Sequence, residues 1–512
     1  MKTALSRREF LKLAALLPAK ILLSRLGRNP LLRAIAPQKK NVLIIVFDTW
    51  SAKHLSLFGY PRHTSPQLES LAEKAIVYHN HYAAAPWTVP GTASMLTGLY
   101  PWDHRVFGTD RIKYCPNLFG IFGEAGYHIQ SYTHNPLANR IIQAYASPDQ
   151  VQLRPETFFL AKDPTYNKLV ERDEDAYRLA RYQIFLDEDN VDNSLFLGRP
   201  LRAALDLFYH RVLAPYADQY SKEPPVVSGS RNYFVLDDPF NWIVETLPIS
   251  PQPFVHYYHF LPPHAPYHPR LEFEALFEDG WEHDKKPFQF PGEETQRKIN
   301  RNRKSYDRFV ADVDDAFAHL YRGLEQSGLL DDTWIVLTSD HGELFERGLI
   351  GHTNITLFEP LVNVPLLVFP PQSTSRVDIY DRTSAVDLLP TLLHLTGQPA
   401  LSGLPGKVIP PFNKDYEGMP RRIFTMNPKH SDSEYQMSEG TIALLKDEFQ
   451  LVYYFGHEEM GDVPKHLELY DLVNDPEELD NLYTTYPDRA AQMWAILQEQ
   501  MDRAESLYPS PK

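Results

Sequence analysis

Two apolar segments of the chain end in side chains that could bind a metal ion. Residues 41–47 are followed directly by Asp48, and the segment that begins at Trp334 ends in Asp340 and His341. Carboxylate oxygens together with an imidazole are common ligands of divalent cations. The pattern therefore predicts a metal ion held by Asp48, Asp340 and His341, and it indicates a metal-dependent hydrolase.

Both segments are rich in β-branched and apolar residues, which is typical of central strands in a parallel sheet. Open α/β folds place their ligands at the carboxyl ends of such strands. We therefore expect two neighbouring strands to deliver the three side chains to one edge of a sheet. An alternative is that Asp48 caps a helix or a turn and that the Asp340–His341 pair is structural.

The size and charge of the chain limit the number of domains it can form and the kind of partner it can bind. Its 512 residues, of which 43% are hydrophobic, fit one large α/β domain or two unequal ones. The formal net charge is −15, and it becomes −22 without residues 1–36, which carry a net charge of +7. An acidic body argues against a nucleic-acid partner. We expect a small anionic ester substrate instead, and Cys115, the single cysteine, excludes an internal disulfide.

The N-terminal residues resemble a twin-arginine export signal. Arg7 and Arg8 precede a short apolar run at residues 13–19, far below the ~20 residues that a spanning helix needs. The pattern in residues 1–36 therefore predicts that the twin-arginine export machinery binds the protein and that the protein has a periplasmic or extracellular location. Cleavage after Ala36 is disfavoured by Pro37, and an uncleaved segment would act as an N-terminal membrane anchor.

The remaining chain predicts an α/β catalytic domain at residues 41–400 and a smaller C-terminal unit at 401–512. Residues 41–134 alternate strand and helix patterns, with helices near 65–74, 92–96 and 118–125. Residues 147–251 form a predicted insertion with amphipathic helices at 168–183 and 199–210. A strand at 253–260 and a long helix at 294–327 follow. The C-terminal unit shows a strand pattern at 441–454.

A threonine in a loop between two prolines supplies a candidate nucleophile. Residues 86–98 read Pro-Trp-Thr-Val-Pro-Gly-Thr-Ala-Ser-Met-Leu-Thr-Gly, which predicts a loop that enters a helix at Thr92. The hydroxyl of Thr88 could then meet the positive end of the helix and the metal together. The alternative is that Thr88 only caps the helix.

The same segment is similar to the nucleophile segment of the sulfatase family, within the alkaline phosphatase superfamily. Further matching segments follow in the family's order over residues 41–140 and 250–485, among them Phe47-Asp48-Thr49-Trp50, His264-Ala265-Pro266-Tyr267, Thr338-Ser339-Asp340-His341-Gly342-Glu343 and Gly351-His352. The resemblance implies an alkaline-phosphatase-like α/β fold. In that fold a mixed, mostly parallel sheet lies between layers of helices, and a smaller C-terminal α+β subdomain follows.

The resemblance also implies roles for individual residues. One divalent metal ion, whose identity as Ca, Mn, Zn or Mg stays open, would bind four ligands: Asp48, Thr88, Asp340 and His341. His264 and His352 would hold the non-bridging oxygens of the substrate and protonate the leaving group. The family's Lys-Trp-His segment is absent, and His134 is the candidate substrate-binding residue in that neighbourhood.

The chain departs from the family at the nucleophile. Sulfatases oxidise a Cys or Ser to formylglycine, whereas oxidation of Thr88 would give a ketone, so no formylglycine is expected. Gly91 and Thr92 replace the usual Ser-Arg pair, and Thr49 stands where many sulfatases have a second metal-binding Asp. A threonine nucleophile occurs in the related phosphoglycerol and phosphoethanolamine transferases, where a phosphorylated threonine passes its group to water or an alcohol.

Three functions fit these residues. The leading prediction is an exported, metal-dependent hydrolase or transferase that cleaves a sulfate or phosphate ester through Thr88, with a lipid head group among the open substrates. A catalytically silent, sulfatase-like binding protein is the alternative from another class. A sulfatase that uses metal-bound hydroxide alone is the third. Retention of all four candidate ligands favours an enzyme, because drift would be expected to remove at least one.

Overall fold

The computed structural model describes residues 40–147, 149–161, 198–228, 230–287, 292–413, 421–428, 431–460 and 465–510. The predicted export signal at 1–36 and the predicted helix at 168–183 lie outside these residues. Residues Asn41–Lys512 form one compact unit. Within the described part of the chain, no helix is both long enough and apolar enough to cross a membrane.

Sixteen strands are found in the described residues, and their bounds are as follows: β1 (Asn41–Phe47), β2 (Ile76–Tyr78), β3 (His81–Tyr82), β4 (His128–Thr133), β5 (Val151–Gln152), β6 (Phe254–Phe260), β7 (Thr333–Ser339), β8 (Phe345–Glu346), β9 (Leu349–Ile350), β10 (Leu366–Phe369), β11 (Val377–Ile379), β12 (Thr383–Ser384), β13 (Arg422–Asn427), β14 (Gly440–Lys446), β15 (Phe449–Phe455) and β16 (Lys465–Asp471).

The α-helices of the same residues are α1 (Pro66–Leu71), α2 (Thr88–Thr97), α3 (Pro101–His104), α4 (Leu118–Glu124), α5 (Pro136–Tyr145), α6 (Gly198–Leu213), α7 (Asp237–Thr246), α8 (Gln296–Gln326), α9 (Glu359–Val362), α10 (Leu388–Leu395) and α11 (Pro487–Glu505). The predicted helices at 118–125, 199–210 and 294–327 correspond to α4, α6 and α8, so these predictions are confirmed.

The large sheet has eight strands in the order β11-β2-β10-β7-β1-β6-β4-β5. Strand β1 lies at its centre and pairs in parallel with both β6 and β7. Only β10 runs antiparallel to its neighbours, β2 and β7. The sheet is therefore mixed and mostly parallel, as predicted.

Strand β1 is buried on both faces, and its alternating side chains enter two separate cores. Leu43, Ile45 and Phe47 pack in the core that contains residues of α7 and α8. Val42, Ile44 and Val46 pack in the core formed with α2, α4, α5 and α10. Helices thus cover both faces of the sheet, which explains why β1 reads as a continuous apolar run.

The C-terminal region forms a second, antiparallel sheet in the order β13-β14-β15-β16, covered by α11. The strand pattern predicted at 441–454 is confirmed, and in the structure it comprises two strands. Strands β14 and β15 form a hairpin that turns at Asp447, whose φ of 53° lies in the left-handed region. The turn is signalled only by the short charged segment Lys446-Asp447-Glu448 between two mostly apolar segments.

Candidate metal and nucleophile site

The site lies where β1 and β7 end side by side. Phe47 pairs with Ser339 in parallel register, so Asp48 and Asp340 follow the last paired residues of adjacent strands. Both carboxylates are fully buried. The two strand ends are joined by the amide of Thr49, which donates to Asp340 Oδ1 at 3.3 Å, and by the amide of Trp50, which donates to Ser339 Oγ at 2.9 Å.

Asp48, Asp340 and His341 bring their ligand atoms within 4.8 Å of one another. His341 Nε2 lies 3.5 Å from Asp48 Oδ1 and 3.5 Å from Asp340 Oδ2. The other ring nitrogen, Nδ1, lies 3.0 Å from the carbonyl of Gly342 and donates to it. This hydrogen bond fixes the tautomer, so Nε2 presents its lone pair to the carboxylates. The structure thus assembles the three predicted metal ligands.

These atoms are poorly satisfied without a cation. Asp48 Oδ1 and Asp340 Oδ2 accept no hydrogen bond from the described residues. Burial, together with the charge of Asp48, raises the pKa of Asp340 to about 7. Burial holds the pKa of His341 well below its usual value, so the imidazole is neutral, as a metal ligand must be. Two buried carboxylates facing a neutral imidazole fit a divalent cation.

Thr88 stands beside this group as the first residue of α2. Its Oγ1 lies 3.4 Å from His341 Nε2, and the residue is 2% exposed. Gly91, one turn later, permits the close approach of the helix, because a Cβ atom there would lie 2.8 Å from the carbonyl oxygen of Asp340. The structure thus brings the candidate nucleophile together with the three candidate ligands.

The predicted start of this helix at Thr92 is wrong, since α2 begins at Thr88. Pro90 suggested a loop, but a proline is tolerated in the first helical turn, where backbone N–H groups have no intrahelical acceptor. Thr88 therefore lies within the first turn of α2 and not in a loop before it. Its hydroxyl therefore lies at the positive end of the helix dipole.

His264 and His352 lie together on the less buried side of the site. Their ring centroids are 5.1 Å apart, and the ring of His352 is 4.5 Å from that of His341. His352 Nδ1 lies 3.0 Å from Glu343 Oε1. Burial opposes a charge on His352, but Glu343, together with the charges of Asp48 and Asp340, outweighs it and raises the pKa of the imidazole. These two predicted residues are therefore placed next to the metal ligands.

His134 has a different environment. It is buried, its ring centroid lies 3.8 Å from that of Phe234, and it stacks on Tyr132. Burial lowers its pKa to about 3, so the ring is neutral. Its ring contacts in the described residues are aromatic and do not include His264 or His352. Its role in substrate binding stays a prediction.

Two residues of the site escaped the sequence analysis. The side chain of Asn135 donates a hydrogen bond to Asp48 Oδ2. His259 Nε2 lies 3.7 Å from Asp48 Oδ2 and 3.6 Å from Asp340 Oδ2. Both lie at the same sheet edge as Asp48, because Asn135 follows the end of β4 and His259 is the penultimate residue of β6, which pairs with β1.

Comparisons with known proteins identify the family of this chain. A model of the sulfatase family matches residues 40–398. The chain belongs to the sulfatase family. A second model, of the C-terminal region of N-sulphoglucosamine sulphohydrolase, matches residues 352–506 and covers the antiparallel sheet and α11. The predicted family is therefore confirmed.

Several named proteins are similar to this sulfatase-family chain. Arylsulfatase K of Gallus gallus is 24% identical over 492 residues, covering 90% of this chain and 82% of that protein. The match to arylsulfatase K of Canis lupus familiaris spans only 36% of that protein, at 26% identity and 38% of this chain. Choline-sulfatase of Rhizobium meliloti (strain 1021) is 24% identical, covering 87% of this chain and 82% of that protein.

The fold is shared with a solved enzyme structure. The phosphonate monoester hydrolase of Agrobacterium radiobacter superimposes with a TM-score of 0.64 at 18% identity, covering 91% of this chain and 95% of that chain. This likeness confirms the predicted fold class. The named relatives belong to the predicted enzyme class, the hydrolases of sulfuric and phosphoric esters.

Proposed function

We propose that this sulfatase-family chain is a metal-dependent enzyme that cleaves a phosphate ester through Thr88 as an unmodified nucleophile. The observation that carries the proposal is the position of Thr88 Oγ1, 3.4 Å from His341 Nε2 at the N-terminus of α2. Asp48, Asp340, His341 and Thr88 would hold the ion. When bound, the ion would supply Lewis-acid stabilisation of negative charge.

In the proposed reaction, Thr88 Oγ releases its proton to solvent and attacks the phosphorus atom, while the bond to the leaving alkoxide breaks and that alkoxide takes up a proton. A phosphorylated Thr88 results. Water or an alcohol then attacks the same phosphorus and restores the threonine hydroxyl, which makes the enzyme a hydrolase or a transferase. The positive end of α2 favours the negative charge that develops near Thr88 in both steps.

His352 is the proposed proton donor to the leaving group. Glu343 accepts from its Nδ1 at 3.0 Å, which orients the ring and stabilises its protonated form. Tyr267 donates to the other oxygen of Glu343 at 3.4 Å and helps to fix that carboxylate. His264 stands beside His352 and would bind a non-bridging oxygen of the substrate. The two histidines would thus contact the substrate from the less buried side of the site.

A sulfate ester is the second candidate substrate. The similar proteins named arylsulfatase K and choline-sulfatase support it, and a small sulfated molecule would suit the same site. The phosphate ester is favoured because an unmodified threonine cannot form the hydrated aldehyde of the formylglycine enzymes. A silent binding protein is disfavoured because all four candidate ligands, Asp48, Thr88, Asp340 and His341, are retained and lie together.

A substrate panel tests this function. The purified chain, loaded in turn with Zn²⁺, Mn²⁺, Ca²⁺ and Mg²⁺, is assayed with an aryl phosphate, a phosphodiester, a phosphonate monoester and an aryl sulfate. We expect the highest kcat/KM on a phosphorus ester, and loss of that activity after treatment with a chelator. Higher kcat/KM on the sulfate would favour the second candidate. Absence of turnover in every combination would support a binding protein.

We also propose that residues 1–36 direct twin-arginine export to the periplasm or the cell exterior. Arg7 and Arg8, followed by a short apolar run, support this proposal. A fusion of residues 1–40 to a reporter is expected to reach the periplasm, and the double change Arg7→Lys and Arg8→Lys is expected to stop it. Fractionation of cells measures both. Unchanged export of the double variant would point to another route.

A further inference from the structure

His259 is a fully buried histidine with one unsatisfied nitrogen. It is the penultimate residue of β6 and pairs with Val46 of β1, two residues before Asp48. Its Nδ1 lies 3.2 Å from the hydroxyl of Tyr257. Its Nε2 has no hydrogen-bond partner in the described residues. The free nitrogen points at the two carboxylates of the metal site.

The distances from His259 Nε2 to the two carboxylates are similar to those of His341 Nε2. Nε2 lies 3.7 Å from Asp48 Oδ2 and 3.6 Å from Asp340 Oδ2, beyond the 2.7–3.2 Å typical of a hydrogen bond. His341 Nε2, already assigned as a ligand, lies at 3.5 Å from one oxygen of each carboxylate. Two atoms bonded at ~2.1 Å to one zinc ion lie at most ~4.2 Å apart, so Nε2 and each of these oxygens are close enough to share one ion.

An imidazolium that only neutralised the carboxylates would give a different geometry. A charged N–H group closes on a carboxylate oxygen to ~2.7–2.9 Å. His256, on the same strand, shows a satisfied buried histidine, with its ring nitrogens 3.2 Å from His128 Nδ1 and 3.0 Å from the hydroxyl of Tyr258. His259 Nε2 lies too far from both oxygens for such a hydrogen bond, and this separation leaves room for an ion between them.

We propose that His259 Nε2 is a further ligand of the metal centre. Asp48 then uses both oxygens, with Oδ1 on the side of His341 and Oδ2 on the side of His259, where Asn135 also donates. Donation of Nδ1–H to the hydroxyl of Tyr257 leaves the lone pair on Nε2, as ligation requires.

The second imidazole determines which class of metal the site binds. Two imidazoles and two carboxylates favour a first-row transition ion such as Zn²⁺ or Mn²⁺, whereas Ca²⁺ and Mg²⁺ prefer oxygen ligands alone. The inference rests on the metal site of the proposed function but not on the role of Thr88. It predicts that the enzyme loaded with Zn²⁺ or Mn²⁺ will show the highest activity in the substrate panel.

Cobalt binding to the full chain tests the assignment. Co²⁺ is titrated into the metal-free protein and its visible absorption recorded for wild type, His259→Ala and the control His256→Gln, a buried histidine of the same strand. We expect His259→Ala to bind Co²⁺ at least about 10-fold more weakly with altered bands, and the control to match wild type. A wild-type spectrum and affinity in His259→Ala would overturn the proposal.

X-ray absorption of the zinc-loaded wild-type protein gives a test that needs no variant. Outer-shell scattering counts the imidazoles bound to the ion, and we expect two. A count of one would refute His259 as a ligand even if His259→Ala failed to fold. The count is independent of the proposed reaction, because a wrong nucleophile would leave the two imidazoles in place, and a missing imidazole would leave the phosphorylation of Thr88 testable.

Discussion

Thr88→Ala is expected to lower kcat by roughly 10³-fold or more, because it removes the atom that forms the covalent intermediate. Metal binding should persist, since Asp48, Asp340 and His341 remain in place. Steady-state kinetics on the best substrate of the panel, together with the metal content of the same preparation, measures both effects. Thr88→Ser should keep part of the activity because its hydroxyl occupies the same position.

The matched control is Thr97→Ala, which changes a buried threonine at the other end of α2. The hydroxyl of Thr97 donates to the carbonyl of Ala93 at 2.7 Å and accepts from the amide of Leu99 at 3.3 Å. Both bonds are local to the C-terminal end of α2, so this variant should keep its activity. Mass spectrometry of the peptide 87–95 should show an unmodified Thr88, or a phosphate adduct after a rapid quench with substrate. Full activity of Thr88→Ala would instead identify metal-bound water as the nucleophile.

The core of the site could be predicted because its residues follow two apolar strands. Asp48 and Asp340 are each placed by a simple rule, that parallel strands of one sheet end at the same edge. His341 follows directly. The rule needs only the strand bounds, and these are clear in the sequence because both strands are buried on both faces.

His259 and Asn135 could not be selected in the same way. His259 stands among aromatic residues in Phe-Val-His-Tyr-Tyr-His-Phe, where His256 is an equally good candidate from the sequence alone. Only the register of β6 against β1 shows which of the two histidines reaches the strand end. The start of α2 was also hidden, because Pro90 is compatible with a loop and with a first helical turn.

Asp340→Asn is expected to abolish the response of the protein to metal. In wild type, a chelator should lower the melting temperature, since an ion present at ~100 times its Kd contributes about 2.7 kcal/mol. Asp340→Asn lacks the charge that binds the ion, so its melting temperature should be the same with and without chelator. Asp340→Ala should respond to chelator in the same way as Asp340→Asn, and elemental analysis should detect no bound metal in either variant.

The stabilities of the metal-free proteins give a sharper test of the same site. Two fully buried carboxylates destabilise the metal-free wild type, whereas an asparagine oxygen can still accept from the amides of Thr49 and His341. Asp340→Asn should therefore be more stable than metal-free wild type by about 1 kcal/mol or more, yet less stable than the loaded protein.

A buried carboxylate outside the site serves as the control for this dependence of the stability change on bound metal. Asp314 accepts from the backbone amides of Gln67 and Leu68, each at 2.8 Å, and caps α1. Asp314→Asn should change the stability by the same amount with and without metal. If Asp340→Asn also shifts both states equally, or still binds one equivalent of metal, Asp340 is a structural residue and the assignment of the metal site is wrong.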